Sequence, residues 1–358
     1  MEACHLLEAQ EIRSVVPEET LRALVVGVGR MGAFHARALA GRIPGIRLHA
    51  VADANPTQAE LIARELGVTA LPADETTIRR SGADCVIVAT PSATHATWVT
   101  WAAEAGIAVF CEKPLGQTLE QARSALEVAD RAGVPLQLGF QRRFDRGVRA
   151  MRERAARGDL GRIVMVKSTI RDPEMSPMEY LKDSGGIFQD QMIHDIDALR
   201  YLAGDEIVEV YAAGDAFFEP GLRDLGDVDT AVLVARFAHG AIGVADATRA
   251  CGYGHDIQAE IMGSEGTVRL DDAKEEPITE YTRTGVRSGM PHWFLERFAQ
   301  AYEEELAAFV PVARRLLPSP VNGRDGLQDM LVAEAAARSI RSGRPERVDI
   351  LSAEVGPR

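Results

Sequence analysis

The stretch LRALVVGVGRMGAFHARALAGR, residues 21–42, joins an unbroken apolar run, a turn with three glycines and an amphipathic segment. The run predicts a buried strand and the segment after the turn predicts a helix. Gly27, Gly29 and Gly32 have the spacing GxGxxG. Glycines so placed allow a tight turn and the close approach of a pyrophosphate to the helix N-terminus. The stretch therefore predicts the first βα unit of a dinucleotide-binding domain.

Further apolar runs follow this unit as far as residue 140, and a helical pattern separates each run from the next. The runs are RLHAVAD, DCVIVAT, IAVFCEK and PLQLGF. Unbroken apolar runs are typical of strands that are covered on both faces of a parallel sheet. We therefore expect residues 21–141 to form an α/β domain with a doubly wound parallel sheet, the Rossmann fold.

The pattern changes after about residue 141, where longer strand-like runs follow one another with short, glycine-containing turns. This pattern predicts an α+β domain over residues 142–350 with a large, open, mostly antiparallel sheet. An open sheet needs a cover on its far face, so we expect a homodimer or homotetramer through that sheet. We expect residues 1–20 to be a flexible extension with no inferred role.

Composition excludes several classes of partner. The formal net charge is -13 and the pI is about 5.2, and an acidic chain repels nucleic acid. No secretory signal is recognisable, and no apolar run approaches the ~18 residues of a membrane span. Cys85 and Cys111 lie in apolar runs and no CxxC pair occurs. Free thiols in a reducing cytoplasm are the expected state.

The cofactor expected from the glycine turn is NAD. Asp53 ends the second predicted strand, where a carboxylate accepts hydrogen bonds from ribose hydroxyls and repels the 2′-phosphate of NADP. The loop after the fourth strand should line the same crevice, although His95 could instead be an exposed residue at a helix start. The predicted cofactor contacts are Gly27, Gly29, Arg30, Met31, Gly32, Asp53, Thr90, Pro91, Ser92, His95, Glu112 and Lys113.

A reacting centre is predicted from SGGIFQDQMIHDIDALRYL, residues 184–202. Asp190 and His194 are four residues apart in an apolar-faced helical pattern, which predicts that they share one helix face. Oxidation of an alcohol needs a base for the hydroxyl proton, and histidine titrates in the right range. A carboxylate can orient the imidazole and raise its pKa. Lys113, at the crevice edge, would stabilise a developing alkoxide.

Simpler interpretations of these residues stay open. Asp190 and His194 could form an idle surface ion pair, or His194 could be a core histidine without chemistry. Lys113 could be a surface lysine paired with Glu112. Asp190, His194 and Asp197 have a spacing that could reach one metal ion, but no Cys or His cluster supports it and a nicotinamide reaction needs none. We expect no metal.

Together these motifs resemble the Gfo/Idh/MocA oxidoreductase family. The resemblance covers residues 21 to about 348, and within the family it is greatest to the inositol 2-dehydrogenases, mainly over residues 171–204. The motifs that carry it are GVGRMG at 27–32, AD at 52–53, TPSATH at 90–95, EKP at 112–114 and the Asp190-x-x-x-His194 pair.

The resemblance implies that Lys113, Asp190 and His194 are catalytic. It implies NAD-dependent oxidation of a ring secondary alcohol of a cyclitol or sugar to the ketone, with the hydride passed to nicotinamide C4. Another polyol dehydrogenase, an NAD-using glycosidase and a non-enzymatic sugar-responsive regulator are the alternatives. The chain departs from the inositol dehydrogenases at Gln191, and Gln141 stands where the family varies; both could face the substrate, and we expect Gln191 and Met192 to select the polyol. The implied substrate contacts are Lys113, Arg143, Asp172, Asp190, His194 and Tyr253, with His292 as a further candidate.

Overall fold

The computed structural model describes residues 19–270 and 279–351 of the 358-residue chain. The predicted flexible extension, residues 1–20, therefore lies outside the described residues except at its last two positions. Within the described ranges, no helix is both long and apolar enough to cross a membrane.

Six parallel strands form the first sheet. Their bounds are β1 Leu21–Val26, β2 Ile46–Asp53, β3 Thr69–Pro72, β4 Cys85–Val88, β5 Ala108–Glu112 and β6 Leu136–Gly139. The spatial order is β3-β2-β1-β4-β5-β6, which is the order of the Rossmann fold with its switch point between β1 and β4. All residues of β4 and β5 are buried, as expected for central strands covered on both faces. The predicted doubly wound sheet is confirmed.

Helices cover both faces of this sheet. They are α1 Arg30–Leu39, α2 Pro56–Leu66, α3 Thr77–Ser81, α4 Ser92–Glu104 and α5 Leu119–Ala132. Their ends follow from local sequence. The Asn55 side chain caps α2, and Thr118 forms a capping box at the start of α5. Gly67 and Gly133 end these helices in the left-handed conformation.

The second sheet contains seven strands. Their bounds are β7 Ile163–Arg171, β8 Ile207–Asp215, β9 Thr230–Phe237, β10 Ile242–Thr248, β11 Asp256–Gly263, β12 Thr267–Arg269 and, from the end of the chain, β15 Glu346–Arg347. The order is β12-β11-β7-β10-β9-β8-β15, and among these described strands the pair β7·β10 is parallel while the other neighbours are antiparallel. The predicted α+β domain with a mostly antiparallel sheet is confirmed, with one parallel pairing inside it. A separate hairpin joins β13 Glu280–Thr282 and β14 Gly285–Arg287.

The helices of the second half connect the two sheets. They are α6 Arg146–Ala156, α7 Met178–Leu181, α8 Ile187–Asp190, α9 Ile193–Ala203, α10 Phe294–Ala313 and α11 Gly323–Ser342, with 3-10 turns at Gln141–Phe144 and Pro220–Leu225. Helix α10 packs on β5 and β6, and α11 packs on both β6 and β8. One buried apolar cluster accordingly includes residues of both sheets. The division near residue 141 stays a prediction.

The predicted helix that was to carry Asp190 and His194 is broken. Met192 N–H donates to the carbonyl of Ile187, five residues back, and His194 N–H donates to Gln191, three residues back. The regular i to i−4 ladder is therefore interrupted between α8 and α9. The expectation that Asp190 and His194 share one face of a continuous helix is wrong.

Candidate active site

A cavity of about 180 Å³ lies at the carboxyl edge of the first sheet, where that edge meets the second domain. Ligands of open α/β sheets bind at this edge. Both domains contribute residues to its wall, so neither domain forms the cavity alone. Among the predicted site residues, it brings together Arg30, Met31, Glu112, Lys113, Asp172, Asp190 and His194.

Each glycine in the turn after β1 has its own structural role. Gly27 has φ +80°, and a Cβ there would lie 2.6 Å from the carbonyl oxygen of Ala89. A Cβ on Gly32 would lie 1.7 Å from the carbonyl oxygen of Gly27. A Cβ on Gly29, in contrast, would meet nothing within 4 Å. Two glycines are needed by the fold, and the third leaves open space at the N-terminus of α1, where a pyrophosphate fits.

Asp53 lies beside this turn, as expected. One carboxylate oxygen accepts a hydrogen bond from the Val28 N–H at 2.7 Å, and the other accepts one from the Asn55 N–H at 2.8 Å. These bonds hold a carboxylate at the end of β2, next to the glycine turn. The residues of the turn therefore fit a dinucleotide, with the acid at the position that ribose hydroxyls would reach.

The loop after β4 carries Thr90, Pro91 and Ser92, and α4 begins at Ser92. His95 is 2% exposed, so the alternative of an exposed residue at a helix start is wrong. Its ring nitrogens lie 2.7 Å from the carbonyl oxygens of Thr90 and Pro114. Burial lowers the pKa of His95 despite these two carbonyl contacts. His95 thus holds the β4 loop against the EKP segment.

Lys113 reaches across to the second domain. Its ammonium donates a 2.6 Å hydrogen bond to the main-chain carbonyl of Asp190. The neighbouring Glu112 carboxylate instead lies 2.7 Å from His35 Nε2. The described side chains therefore do not form the Lys113–Glu112 surface pair that was the simpler interpretation. A cation is held where the two domains meet.

His194 is half-buried in the wall of the cavity next to Phe140, with ring centroids 6.0 Å apart. Burial lowers its pKa well below the usual value, and the positive charges of Lys113 and Arg142 lower it further. Its buried Nδ1 has no hydrogen-bond partner among the described residues. The imidazole is therefore neutral at neutral pH and able to accept a proton.

The Asp190 carboxylate has partners other than His194. Oδ1 accepts a hydrogen bond from the Tyr180 hydroxyl at 2.7 Å, and Oδ2 accepts one from Arg249 Nη1 at 2.8 Å. Between the described atoms of Asp190 and His194 there is no side-chain hydrogen bond. The expectation that Asp190 orients the imidazole directly does not match this geometry. Asp190 contributes a fixed charge to the wall and a carbonyl to Lys113.

Asp172 also lines the cavity, just after β7. Its carboxylate accepts hydrogen bonds from Gln191 Nε2 at 2.9 Å, and His255 Nδ1 lies 3.0 Å from its other oxygen. Gln191 also donates to the carbonyl of Thr248 at 3.0 Å. Gln191 is therefore at the cavity, as expected, whereas Met192 is fully buried in the core and does not line it.

Three predicted substrate contacts lie away from this cavity. Arg143 forms an ion pair with Asp197 of α9 at 2.5 Å, and its neighbour Arg142 lines the cavity in its place. Tyr253 is half exposed, and its hydroxyl is hydrogen-bonded to Asp256. His292 does not line the cavity either. None of these three residues lines the cavity.

Asp190, His194 and Asp197, whose spacing could have allowed them to bind one metal ion, do not come together in the structure. Asp197 is fully buried and pairs with Arg143, so it cannot join Asp190 and His194 around one ion. In the described part of the chain, the ligand atoms that do cluster belong to His35, Glu112 and Glu305, within 4.8 Å of one another. His35 and Glu112 already share a hydrogen bond there.

Several cavity residues were not predicted from the sequence, namely Arg142, Tyr180, Arg249, His255, Trp293, Phe294 and Tyr302. Aromatic side chains at the start of α10 form part of the wall. The guanidinium of Arg30, from the glycine turn, lies 5.5 Å from the ring of Trp293 and 5.2 Å from the ring of Phe294. These contacts connect the cofactor turn with the second domain.

Comparison with known proteins gives the same assignment for both halves of the chain. Residues 21–140 match the family described as "Oxidoreductase family, NAD-binding Rossmann fold", and residues 148–269 match the "GFO/IDH/MocA C-terminal domain". The chain belongs to the Gfo/Idh/MocA oxidoreductase family. The predicted family and the predicted NAD-binding oxidoreductase are thereby confirmed.

Individual members of the family are similar over nearly their whole length. The scyllo-inositol 2-dehydrogenase (NAD(+)) of Bacillus subtilis is 37% identical over 95% of this chain and 99% of its own. The myo-inositol 2-dehydrogenase of Thermotoga maritima is 36% identical over 92% and 99%. The crystal structure of scyllo-inositol dehydrogenase from Lactobacillus casei with bound NAD(H) and scyllo-inositol has a TM-score of 0.86 and 29% identity, covering 92% of this chain and 99% of that one.

Proposed function

We propose that this protein is an NAD-dependent cyclitol dehydrogenase that oxidises a ring secondary alcohol to the ketone. The observation that carries the proposal is the meeting of Lys113, Asp190 and His194 in one cavity beside the glycine turn. The similarity to inositol 2-dehydrogenases over more than nine-tenths of the chain supports the same substrate class. A cavity wall rich in side-chain carboxylates, imidazoles and guanidinium groups suits a ligand that carries many hydroxyls.

The proposed mechanism assigns the proton to His194. The glycine turn at Gly27, Gly29 and Gly32 would hold the dinucleotide, whose nicotinamide would supply the acceptor for the hydride of the carbinol carbon. His194, neutral because burial lowers its pKa, accepts the hydroxyl proton. Lys113 places its ammonium where the alkoxide develops and stabilises that charge. Asp190 fixes Lys113 through its main-chain carbonyl, while Asp172 and Gln191 bind other hydroxyls of the ring.

We propose NAD rather than NADP as the preferred cofactor. The Asp53 carboxylate stands beside the glycine turn with both oxygens held by backbone N–H groups. A second negative charge, the 2′-phosphate of NADP, would be repelled there. Thr90 of the β4 loop borders the same turn, since a Cβ on Gly27 would lie 2.7 Å from Thr90 Cα.

We also infer that a homodimer or homotetramer forms through the second sheet. Strand β9 alternates buried and exposed residues along its length, so one face of the sheet lies outside this chain. That face includes apolar side chains that are between 38% and 46% exposed: Tyr211, Val232, Val234, Ile242 and Met262. A cytoplasmic location remains a prediction that rests on the free thiols of Cys85 and Cys111.

The test is a panel of cyclitols and aldoses with NAD+ or NADP+, followed by absorbance of the reduced nicotinamide. We expect NADH with at least one inositol, and little turnover with NADP+. Lys113→Met is the matched control, because it should abolish turnover while the Rossmann turn still binds NAD+. If no polyol yields reduced cofactor, the proposal fails. Co-purified NAD with glycoside cleavage and no net NADH would indicate the glycosidase alternative, and ligand binding without any turnover would indicate the regulator.

A further inference from the structure

Arg249 is a buried cation at the reacting centre that the sequence did not single out. It directly follows β10, is 4% exposed and lines the cavity. Nη1 donates to Asp190 Oδ2 at 2.8 Å, and Nη2 lies 3.4 Å from Asp227 Oδ2. A guanidinium with five donors in a fixed fork can hold two carboxylates in one geometry. Arg249 therefore connects two acids on different segments of the chain.

Those two acids hold both ends of α8. Asp190 is the last residue of this four-residue helix, and Asp227 Oδ1 accepts a hydrogen bond from the N–H of Ile187, its first residue. Immediately before α8, Gly185 and Gly186 have φ values of +86° and +82°. So short a helix has few hydrogen bonds of its own, and its position depends on tertiary contacts.

The position of α8 matters because its last residue reaches the catalytic lysine. The ammonium of Lys113 donates to the main-chain carbonyl of Asp190. The chain then turns through Gln191 and Met192 into α9, whose first turn carries His194. A displacement of the Asp190 carboxylate would therefore move the acceptor of Lys113 and the start of the segment that bears the base.

We propose that Arg249 is a positioning residue for the dehydrogenase reaction. Through the Asp190 carboxylate it fixes the carbonyl that aims Lys113 and the turn that leads to His194. The proposal rests on the proposed function, since it assigns Arg249 a role in the same reaction. Tyr180 supplies the second contact to Asp190, so removal of Arg249 should loosen this segment without unfolding the domain.

The kinetic test compares Arg249→Gln with Arg249→Lys. Misplacement of reacting groups by about 1 Å can cost on the order of 10²-fold in rate. We expect Arg249→Gln to lower kcat by about 10²-fold with KM for NAD+ within about threefold of wild type, and Arg249→Lys to recover part of that loss. A wild-type kcat in Arg249→Gln, or a lysine variant no better than the glutamine variant, would overturn the proposal.

The matched control is Arg200→Gln. Arg200 is 6% exposed and pairs with the buried Asp329 at 2.5 Å, but it lies on α9 away from the cavity. Its loss should lower the melting temperature at least as much as the loss of Arg249, because it leaves the fully buried Asp329 carboxylate without its cation, whereas Asp190 and Asp227 keep other hydrogen-bond donors. Its kcat should stay close to that of wild type. A kcat as low as that of Arg249→Gln would show a general effect of stability and would refute the positioning role.

Amide hydrogen exchange separates this proposal from the proposed function, because it needs no turnover. In Arg249→Gln we expect faster exchange over residues 187–194, with Arg249→Lys intermediate. In Arg200→Gln that segment should exchange as in wild type. If no polyol is oxidised but the segment loosens as described, the dehydrogenase assignment fails while Arg249 still positions α8. Unchanged exchange in Arg249→Gln would refute the proposal even in an active enzyme.

Discussion

Replacement of Gly32 by alanine should destabilise the first domain strongly, whereas the same change at Gly29 should not. The new Cβ at Gly32 would lie 1.7 Å from the carbonyl oxygen of Gly27 and 2.8 Å from its carbon. Both atoms belong to the backbone of the turn, so neither can rotate away as a flexible side chain would. For the Cβ to reach an ordinary contact distance from that oxygen, α1 and β1 would have to move apart by more than about 1 Å.

The size of the effect follows from this overlap. Overpacking in a rigid interior costs about 1–3 kcal/mol, and a backbone clash belongs at the upper end of that range. At roughly 2–4 °C per kcal/mol, a loss of about 3 kcal/mol corresponds to a melting temperature about 6–12 °C lower. Gly29 has an ordinary φ of −66° and open space around the added methyl group, so Gly29→Ala should melt within about 2 °C of wild type.

For NAD+ affinity, measured per folded molecule, the order of the two variants should be reversed: Gly29→Ala should lose more affinity than Gly32→Ala. The methyl group of Gly29→Ala would occupy space through which a pyrophosphate approaches the backbone, so we expect affinity to fall about tenfold or more. Differential scanning fluorimetry measures the melting temperatures, and isothermal titration below the transition measures NAD+ affinity. A Gly32→Ala melting temperature within 2 °C of wild type would refute the packing argument. An equal loss of stability in Gly29→Ala would refute the assigned roles of the two glycines.

Further predictions concern the base, the cofactor and the assembly. His194→Ala should lower kcat by ~10² or more, and an unchanged kcat would exclude His194 as the base. Burial lowers the pKa of His194, so below pH ~6.5 the unfolded chain binds a proton that the folded chain does not. The melting temperature of the wild type should therefore fall more steeply between pH 7.5 and pH 5 than that of His194→Gln. Parallel plots of melting temperature against pH would contradict this. Asp53→Ser should raise kcat/KM for NADP+ relative to NAD+ by about tenfold or more, and an unchanged ratio would count against Asp53 as the selector. Val234→Glu, at a 43% exposed position of β9, should give smaller particles in light scattering, and an unchanged assembly would remove the second sheet from the interface.

The first domain could be predicted from the sequence because its signals are local. The glycine spacing, the strand before it and Asp53 at the end of the next strand all lie within about 35 residues. Parallel strands place their carboxyl ends at one edge, so the EKP segment could be assigned to the same crevice without knowledge of long-range packing. Lys113 does lie there, although its hydrogen-bond acceptor is a backbone carbonyl that no side-chain pattern reveals.

Arg249 was not predicted as a site residue because the pairing of β7 with β10 is parallel. Strands β7 and β10 run parallel, with Arg171 opposite Thr248, so Asp172 and Arg249 leave the sheet at the same edge. If the strands were joined by successive hairpins, as the sequence pattern predicts, every pairing would be antiparallel. Asp172 and Arg249 would then lie at opposite edges of the sheet. Arg143 was misassigned for a related reason. It adjoins Arg142 in a 3-10 turn, where neighbours point in different directions, and only Arg142 lines the cavity.

The break between α8 and α9 explains how a carboxylate and a base can be four residues apart without direct contact. A continuous helix would place Asp190 against His194, and a neighbouring negative charge would raise the pKa of the imidazole. The break instead directs Asp190 to Arg249 and Tyr180, and the charge that lowers the pKa of His194 most is then the cation of Lys113. A neutral imidazole of low pKa is always available as a base but is a weak one. The reaction must then depend on the lysine cation to make the substrate hydroxyl more acidic, so loss of Lys113 should be at least as damaging as loss of His194.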